Sequence, residues 1–257
     1  VYAEDRHYRR VPASTRMLFV SELIQREFAR LYGLPAHWEV LENAPPVWNP
    51  IEARDRHEAR CRFGIEQERR PIVGFLGGLQ QRKGYQPLLD AVAADDSLFL
   101  LMGGQQTEGF VDRRLQHRML GIGLTGEPGR FFAACDVLVV PSQFDPCPMV
   151  VMEAVARGLP VIATEGVGNR TTVLAHGAGL GWDETQPLGN LVHEIVKNRD
   201  RYIAGCRELA QQRSEQQNMQ RLLDCYESVI GLREGNATAA QANTGVDSGI
   251  FMGGSAS

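Results

Sequence analysis

The sequence predicts an α/β protein built on a Rossmann-like parallel sheet with helices on both faces. From Cys61 to about Arg213, short apolar segments alternate with stretches of helical periodicity, an order typical of parallel sheets. The apolar segments are continuous instead of alternating with polar residues, as in strands that are buried on both faces. Glycine and proline separate the segments, as Gly158 and Pro160 do.

The first part of the chain, residues 1–45, has a strand–helix–strand pattern of its own. Met17 to Val20 is expected to be a strand, a helix follows from Ser21 to Tyr32, and a short strand is expected near Val40. Ser21 is a favourable N-cap because its hydroxyl can accept a hydrogen bond from a free amide of the first turn. Residues 46–60, which begin with the segment PVWNP, are expected to form a linker.

Four apolar runs are predicted to be buried strands of one sheet: Ile72–Gly77, Leu98–Met102, Val137–Val140 and Val161–Ala163. Ligands of such sheets bind at the carboxyl ends of the strands. Gly77, Ser142 and Thr164 should therefore meet at that edge. Lys83 follows the first run, at the start of a helix where the helix dipole disfavours positive charge, and this local conflict indicates a functional role.

The segment from Ser142 to Thr164 combines two acids with a helix start. Asp145 precedes a proline-containing loop, and a helix is expected to begin at Met149 and to end before Gly158. The free amides of Met149 and the next residue favour an anion at that point. Glu153 lies about one turn inside the helix. The two acids cannot chelate one small metal as a tight pair, but they can hold opposite ends of an elongated ligand with a sugar, a phosphate and a second polyol.

A competing motif lies between these segments. Residues 121–126 have the pattern GxGxxG, and Asp145 follows at about the distance of the acid that binds ribose in dinucleotide sites. No strong strand is predicted before the pattern, and Pro128 is expected to interrupt the helix that should follow. A nicotinamide-dependent oxidoreductase is therefore the less favoured alternative.

Composition excludes several classes of function. The 257 residues are 43% hydrophobic and carry a net charge of −4, and no basic stripe or polybasic block indicates nucleic acid or an anionic membrane. The five cysteines form no CxxC pair, which argues against a metal knuckle or a disulfide framework. No apolar run reaches the roughly 18 to 20 residues of a transmembrane segment. We expect a cytoplasmic protein, either free or peripheral at the inner membrane surface.

The segment from Asp145 to Val161 resembles the donor-binding segment of retaining glycosyltransferases of family 4, which have the GT-B fold. In that family two acids eight positions apart bracket a loop and a short helix. Five positions match without departure: Glu153, Ala154, Gly158, Pro160 and Val161. Asp145 is one methylene shorter than the usual Glu, and Pro148 replaces a common Gly and can donate no amide hydrogen bond.

The glycine loop after the first strand resembles a second element of the family, Gly-Arg-Leu…Lys-Gly, whose cations neutralise the donor diphosphate. Gly77 and Lys83 match this element, whereas Gly78 replaces the usual Arg. Arg82 is a candidate for the missing charge, although its side chain can equally point into solvent.

The run FVSELIQREF…YGLP…VLEN resembles the end of the N-terminal acceptor domain of the family. The resemblance therefore implies that residues 1–45 are a remnant of that domain, and that the chain is a fragment. Residues 61–213 would form the donor domain, residues 214–233 a C-terminal crossover helix, and residues 234–257 a disordered tail.

The resemblance implies a retaining hexosyltransferase that uses a UDP-sugar or GDP-sugar, with no cofactor and no metal. Lys83 would hold the diphosphate, Glu153 the ribose hydroxyls, and Asp145 the sugar. Lys83 and Asp145 are the expected catalytic residues. The expected donor-binding residues are Gly77, Gly78, Arg82, Lys83, Asp145, Cys147, Met149, Val150 and Glu153. The acceptor is expected to be a saccharide or a lipid-linked molecule, and the chain alone is expected to be inactive. A non-catalytic nucleotide-sugar-binding module is the other alternative.

Overall fold

A computed structural model describes residues 8, 12 and 15–242, with side chains as far as residue 231. The described residues fall into two compact units, of which one reaches Asn218 and the other begins at Met219. The strands are β1 Arg16–Phe19, β2 His37–Val40, β3 Ile72–Leu76, β4 Phe99–Gly103, β5 Met119–Gly121, β6 Val137–Val140, β7 Val161–Ala163 and β8 Gly179–Gly181. The helices are α1 Glu22–Tyr32, α2 Ala53–Phe63, α3 Tyr85–Ala93, α4 Pro128–Ala134, α5 Met149–Ala156, α6 Arg170–Ala175, α7 Leu188–Lys197, α8 Arg199–Gln212 and α9 Glu215–Ala242.

Six strands form one sheet in the order β5-β4-β3-β6-β7-β8, and every pair in it is parallel. This confirms the predicted fold class. The chain builds outward from β3 to β5 and then returns to β6 beside β3, so the strand order reverses between β3 and β6. Ligands of open parallel sheets bind at such a reversal, outside the carboxyl ends of the strands.

Both faces of the sheet are covered, because neighbouring residues of each strand enter different hydrophobic clusters. Ile72 and Leu138 belong to the cluster that includes Phe131, whereas Val73 and Val139 belong to the opposite one. Successive strand residues point to opposite faces, and each fully buried aliphatic side chain contributes about 1.5–3 kcal/mol. The continuous apolar runs in the sequence follow from this double burial.

The first elements form a separate small sheet, in which β1 and β2 pair in parallel from Arg16 with His37 to Phe19 with Val40. The predicted cap of α1 is confirmed, because the Ser21 hydroxyl accepts a hydrogen bond from the Ile24 amide at 3.3 Å. The origin of residues 1–45 in an acceptor domain stays a prediction.

Four expectations for local structure were wrong. Residues 46–60 are not only a linker, because α2 occupies most of their second half. The GxGxxG pattern does follow a strand, since β5 ends at Gly121, and Pro128 does not interrupt a helix but opens α4 at its first position, where its missing amide costs nothing. Lys83 lies in a 3₁₀ turn, Gln81–Lys83, ahead of α3.

The tail prediction was wrong in part. The last helix extends to Ala242, so residues 234–242 are helical instead of disordered. The remainder of that prediction, residues 243–257, lies outside the described residues. No helix in the described part of the chain is long and apolar enough to cross a membrane.

Candidate functional site

The candidate site lies where β3, β6 and β7 end. After β3, the chain turns through Gly77 and Gly78 into the 3₁₀ turn that carries Lys83. Gly84 closes that turn with a φ of +69°, and a Cβ at this position would overlap the Pro141 carbonyl just beyond β6. A glycine is therefore required here, and this close approach brings Lys83 to the end of β6.

Lys83 and Asp145 form an ion pair. The distance from Lys83 Nζ to Asp145 Oδ2 is 2.5 Å, and the two side chains are mostly buried. The structure therefore brings together both residues that we expected to be catalytic. In the described residues, however, the lysine charge is balanced by that carboxylate. A diphosphate that binds Lys83 has to share the lysine with Asp145 or displace the Asp145 carboxylate.

The backbone of Asp145 is held in place by the loop that follows β7. Its amide donates to the Gly166 carbonyl at 2.8 Å, and its carbonyl accepts from the Gly168 amide at 2.9 Å. The Thr164 hydroxyl donates to the Ser142 carbonyl at 2.7 Å. Because its amide and its carbonyl are both bonded, the backbone of Asp145 is fixed beside the turn that carries Lys83.

The start of α5 is held by two asparagines. The Asn43 amide group donates to the Cys147 carbonyl at 3.3 Å, and the Asn169 amide group donates to the Pro148 carbonyl at 3.1 Å. Pro148 is the N-cap of α5, so these contacts fix the direction in which the first amides point. The amides of Met149 and its neighbour Val150 have no earlier carbonyl of the same helix to donate to and are available to an anion.

Asn169 is a residue of the candidate site that the sequence analysis does not predict. Its side chain is fully buried, and its Oδ1 atom has no hydrogen-bond partner in the described part of the chain. Gly168 beside it packs so closely on the Pro146 carbonyl and Ser21 that a Cβ would overlap both. A glycine followed by asparagine, directly after the third strand end, was the available signal.

Cys147 contributes to the site through its backbone. Its side chain is half-buried, and burial raises the pKa of its thiol. The thiol is thus kept in the neutral form at physiological pH. The carbonyl is bonded to Asn43, so the backbone amide is the group left for a ligand.

Glu153 lies one turn further along α5 and is half-buried. Burial raises the pKa of its carboxyl group above the usual value, and no side chain among residues 15–231 forms a hydrogen bond or an ion pair with it. It borders a cleft of about 240 Å³ with Val47, Pro128 and Phe132. A partly buried carboxylate without a partner can accept hydrogen bonds from ligand hydroxyls.

The remaining predicted residues lie at the margin. The Arg82 side chain is exposed, while its carbonyl accepts from the Gln143 amide at 2.9 Å and ties the glycine loop to the Asp145 loop. At Gly78 a Cβ would make only ordinary contact with Gln105, so the absence of the usual Arg is not imposed by packing. The Met149 side chain is 46% exposed, so its backbone amide is the part that serves the site.

The candidate site therefore combines three groups: the cation of Lys83, the N-terminus of α5 and the unpaired carboxylate of Glu153. The first two follow the strands at which the strand order reverses. The first two fit a phosphate group, and the third fits a polyol next to it. No cluster of three or more His, Cys, Asp or Glu side chains that could hold a metal occurs among the described residues.

Comparison with known proteins agrees with this geometry. Residues 60–219 match the family model described as glycosyl transferases group 1. The chain is 33% identical over 64% of its length to a GDP-mannose-dependent alpha-mannosyltransferase of Mycobacterium tuberculosis, of which it covers 44%. It is 31% identical over 74% of its length to a D-inositol 3-phosphate glycosyltransferase of Stackebrandtia nassauensis, of which it covers 48%. It thus spans about half the length of these relatives.

Solved structures share the fold. A glycosyltransferase from Rickettsia africae superposes with a TM-score of 0.74 at 14% identity, covering 90% of this chain and 68% of that one. HepE from Anabaena, solved in complex with UDP, superposes with a TM-score of 0.71 at 21% identity. The match covers 82% of this chain and 63% of HepE.

The chain belongs to the group 1 glycosyltransferases. The resemblance found in the sequence is thereby confirmed, and the fold is that of the GT-B enzymes. This membership also argues against a nicotinamide-dependent oxidoreductase, although the GxGxxG pattern follows a strand.

Proposed function

We propose that this chain binds the nucleotide-sugar donor of a retaining, metal-independent glycosyltransferase. The observation that carries the proposal is the order of groups at the sheet reversal. Lys83 and the first amides of α5 come first, and the unpaired carboxylate of Glu153 follows about one turn, or roughly 5 Å, further on. This is the order of diphosphate and ribose in a nucleoside diphosphate.

The chemistry follows from this placement of charge. As the sugar–phosphate bond breaks, negative charge grows on the departing diphosphate, and Lys83 with the amides of Met149 and Val150 stabilises that charge. The amide of Cys147 lies in the same loop and would face the adjoining phosphate. The acceptor hydroxyl oxygen bonds to the anomeric carbon on the face that the diphosphate leaves, and its proton passes to the departing diphosphate. Attack on that face gives retention of configuration. Positive charge from the protein takes the place of a metal in this scheme.

Asp145 has two roles in the proposal. Without donor it is the counter-ion of Lys83. With donor bound it faces the sugar next to the diphosphate. Gly77 and Gly78 let the backbone approach the phosphates, and exposed Arg82 contributes through its carbonyl.

The donor is a UDP-sugar or a GDP-sugar. One relative is named for its dependence on GDP-mannose, and HepE has been solved with UDP and with UDP-glucose. The acceptor, a saccharide or a lipid-linked molecule, would be held by a facing N-terminal domain, of which residues 1–45 would be the end. We expect the protein to act in the cytoplasm or at the inner membrane surface.

Isothermal titration calorimetry of the 257-residue chain tests donor binding. We expect UDP or GDP to bind and NAD to give no heat of binding. Binding of NAD, with none of UDP or GDP, would overturn the proposal.

A measurement of sugar transfer distinguishes a glycosyltransferase from a non-catalytic nucleotide-sugar-binding module. Orientation of acceptor against donor is worth about 7–11 kcal/mol, so we expect the isolated chain to bind donor but to transfer no sugar. The parent protein should transfer it with retention, which proton NMR of the product reports through the anomeric coupling. An inverted product would contradict the proposed stereochemistry, and a parent without transferase activity would favour the module.

A further inference from the structure

The cleft beside Glu153 contains a second charged group that the proposed function does not use. Arg157 directly follows α5 and lines the same 240 Å³ cleft, and it also borders the neighbouring cavity on the side of Asp55. Its side chain is 21% exposed, and its buried Nε atom has no hydrogen-bond partner in the described part of the chain. A buried guanidinium N–H without an acceptor costs free energy, and the two terminal nitrogens of Arg157, which form no hydrogen bond among the described residues, are the atoms that a ligand can reach.

The nearest anion does not supply that acceptor. Asp55 lies 3.9 Å from Arg157 Nη2, and its carboxylate accepts the Glu52 amide at 3.0 Å as part of the capping box of α2. This contact can orient the guanidinium but leaves Nε unsatisfied. On the other side, the Arg157 guanidinium lies against Gly129, which offers no side-chain acceptor.

The position of Arg157 continues the order of groups along α5. Met149, Glu153 and Arg157 are spaced four residues apart, so they lie along one face of the helix, with about 6 Å of rise between successive positions. The first position supplies an amide for phosphate, and the second supplies the carboxylate for ribose. In a nucleotide the group beyond the ribose is the base.

The walls of the cleft suit a flat ring. Val47, Pro128 and Phe132 provide apolar surface around the two charged groups. Pockets for whole drug-sized ligands measure about 300–1,000 Å³, so a cleft of about 240 Å³ is the size for one part of such a ligand. A nucleobase fits this description.

We infer that Arg157 is a specificity residue that reads a carbonyl oxygen on the donor base, and so selects an oxo-base over adenine. Guanine presents the O6 and N7 acceptors, and a 4-oxo pyrimidine presents O4, whereas adenine presents an amino group at the corresponding edge. Adenine shares the N7 acceptor with guanine, so only the position of O6 or O4 separates the bases. A guanidinium has only donors, so at that position it bonds the oxygen of the first two bases and meets the amino group of the third. This inference rests on the proposed function, because it assigns the base of the same donor.

The test compares UDP, GDP and ADP by calorimetry on the 257-residue chain and on Arg157→Met, which keeps length but removes the donors. We expect the wild type to bind UDP or GDP at least roughly tenfold more tightly than ADP, the range of a hydrogen bond to a charged group. Arg157→Met should lose roughly that factor for the oxo-base and leave ADP unchanged.

Arg130→Met is the matched control. Arg130 lines the neighbouring cavity but not the cleft of Glu153, and it pairs with Glu127 at 2.8 Å. It should leave all three affinities unchanged. If Arg157→Met lowers the melting temperature by several degrees, Arg157→Gln, which has fewer donors and no charge, replaces it and should lose part of the preference.

The outcomes distinguish a failure of the role of Arg157 from a failure of the proposed donor binding. Equal weakening of UDP, GDP and ADP, or no change for any of them, would overturn the role of Arg157. If Glu153→Gln weakens all three nucleotides while the Arg157 variants do nothing, only this inference fails. If the wild type binds none of the three, the proposed function fails as well.

Discussion

The two ends of the candidate site differ in how their charges are balanced. At the strand ends, Lys83 and Asp145 neutralise each other at 2.5 Å. Along α5, the carboxylate of Glu153 has no partner among the described residues, and the Nε atom of Arg157 has none either. A ligand must therefore compete with an existing ion pair at the first end, whereas it completes missing contacts at the second. Loss of Lys83 should accordingly disturb binding most.

The largest effect is expected from Lys83→Ala. The substitution removes the cation and also leaves the Asp145 carboxylate unpaired beside the phosphates. Truncation of one member of a buried charge pair costs about 2–5 kcal/mol, so UDP or GDP should bind about a hundredfold more weakly. Calorimetry measures this directly.

Arg82→Ala is the control for Lys83, because exposed Arg82 is its immediate neighbour in the same turn. Its affinity for nucleotide should stay close to that of the wild type. Equal losses for the two variants would show that both cations, or neither, contact the diphosphate.

A smaller loss is expected from Glu153→Gln. The neutral amide accepts weaker hydrogen bonds from the ribose hydroxyls than the carboxylate does, and a charge-assisted bond is worth about 1.5–3 kcal/mol. Affinity should fall roughly tenfold. An unchanged dissociation constant, with the circular dichroism spectrum intact, would remove Glu153 from the site.

Glu153→Gln should weaken nucleotide binding but raise the stability of the free protein. Burial raises the pKa of Glu153 above 4.5, so the folded state disfavours its ionised form at neutral pH. Glu153→Gln removes this cost and should melt at a higher temperature than the wild type at pH 7. The difference should shrink as the pH falls below about 4.5, where the wild-type carboxyl is protonated in both states. Thermal melts across pH 4–8 measure it, and a lower melting temperature of the variant at pH 7 would show that the carboxylate is stabilised by a partner.

Asp145→Asn should raise the affinity for UDP or GDP. It frees Lys83 and removes a negative charge near the phosphates, and even an exposed ion pair is worth up to about 1 kcal/mol. UDP or GDP should bind about twofold to fivefold more tightly, while sugar transfer by the parent protein falls. Weaker binding of the diphosphate would indicate that Asp145 positions Lys83 for the phosphate instead of competing with it.

The smallest effect is expected from a chelator. Because Lys83 and the α5 amides supply the positive charge in the proposal, EDTA should leave nucleotide affinity unchanged. Affinity that disappears in EDTA and returns with magnesium would contradict the metal-independent scheme.

The sheet was predictable because its signal is local. β3, β6 and β7 are buried on both faces, and their continuous apolar runs gave strand positions to within a residue. By contrast, α2 was missed because its sequence, ARDRHEARCRF, is almost entirely polar and buries only Ala59. The helix that opens at Pro128 is not predicted from the sequence, because a proline interrupts a helix interior but is favourable at the first position.

The sequence indicates candidate site residues but not the contacts between them. Lys83 and Asp145 are 62 positions apart, so nothing in the local sequence indicates that their charges cancel. Asn43 and Asn169 bond the loop before α5 from 104 and 21 positions away. Arg157 resembles a solvated residue at a helix end, and only the packing of α2 and α4 around it leaves its Nε atom buried.

A structure of the chain with bound UDP or GDP tests the central claim most directly, which is that one nucleotide lies along α5 from its N-terminus. We predict that the diphosphate contacts Lys83 Nζ and the amides of Met149 and Val150, that the ribose hydroxyls lie within hydrogen-bond distance of Glu153, and that the base enters the cleft toward Arg157. A diphosphate bound on the glycines of residues 121–126, with Lys83 still paired to Asp145 and Glu153 without a ligand contact, would contradict it.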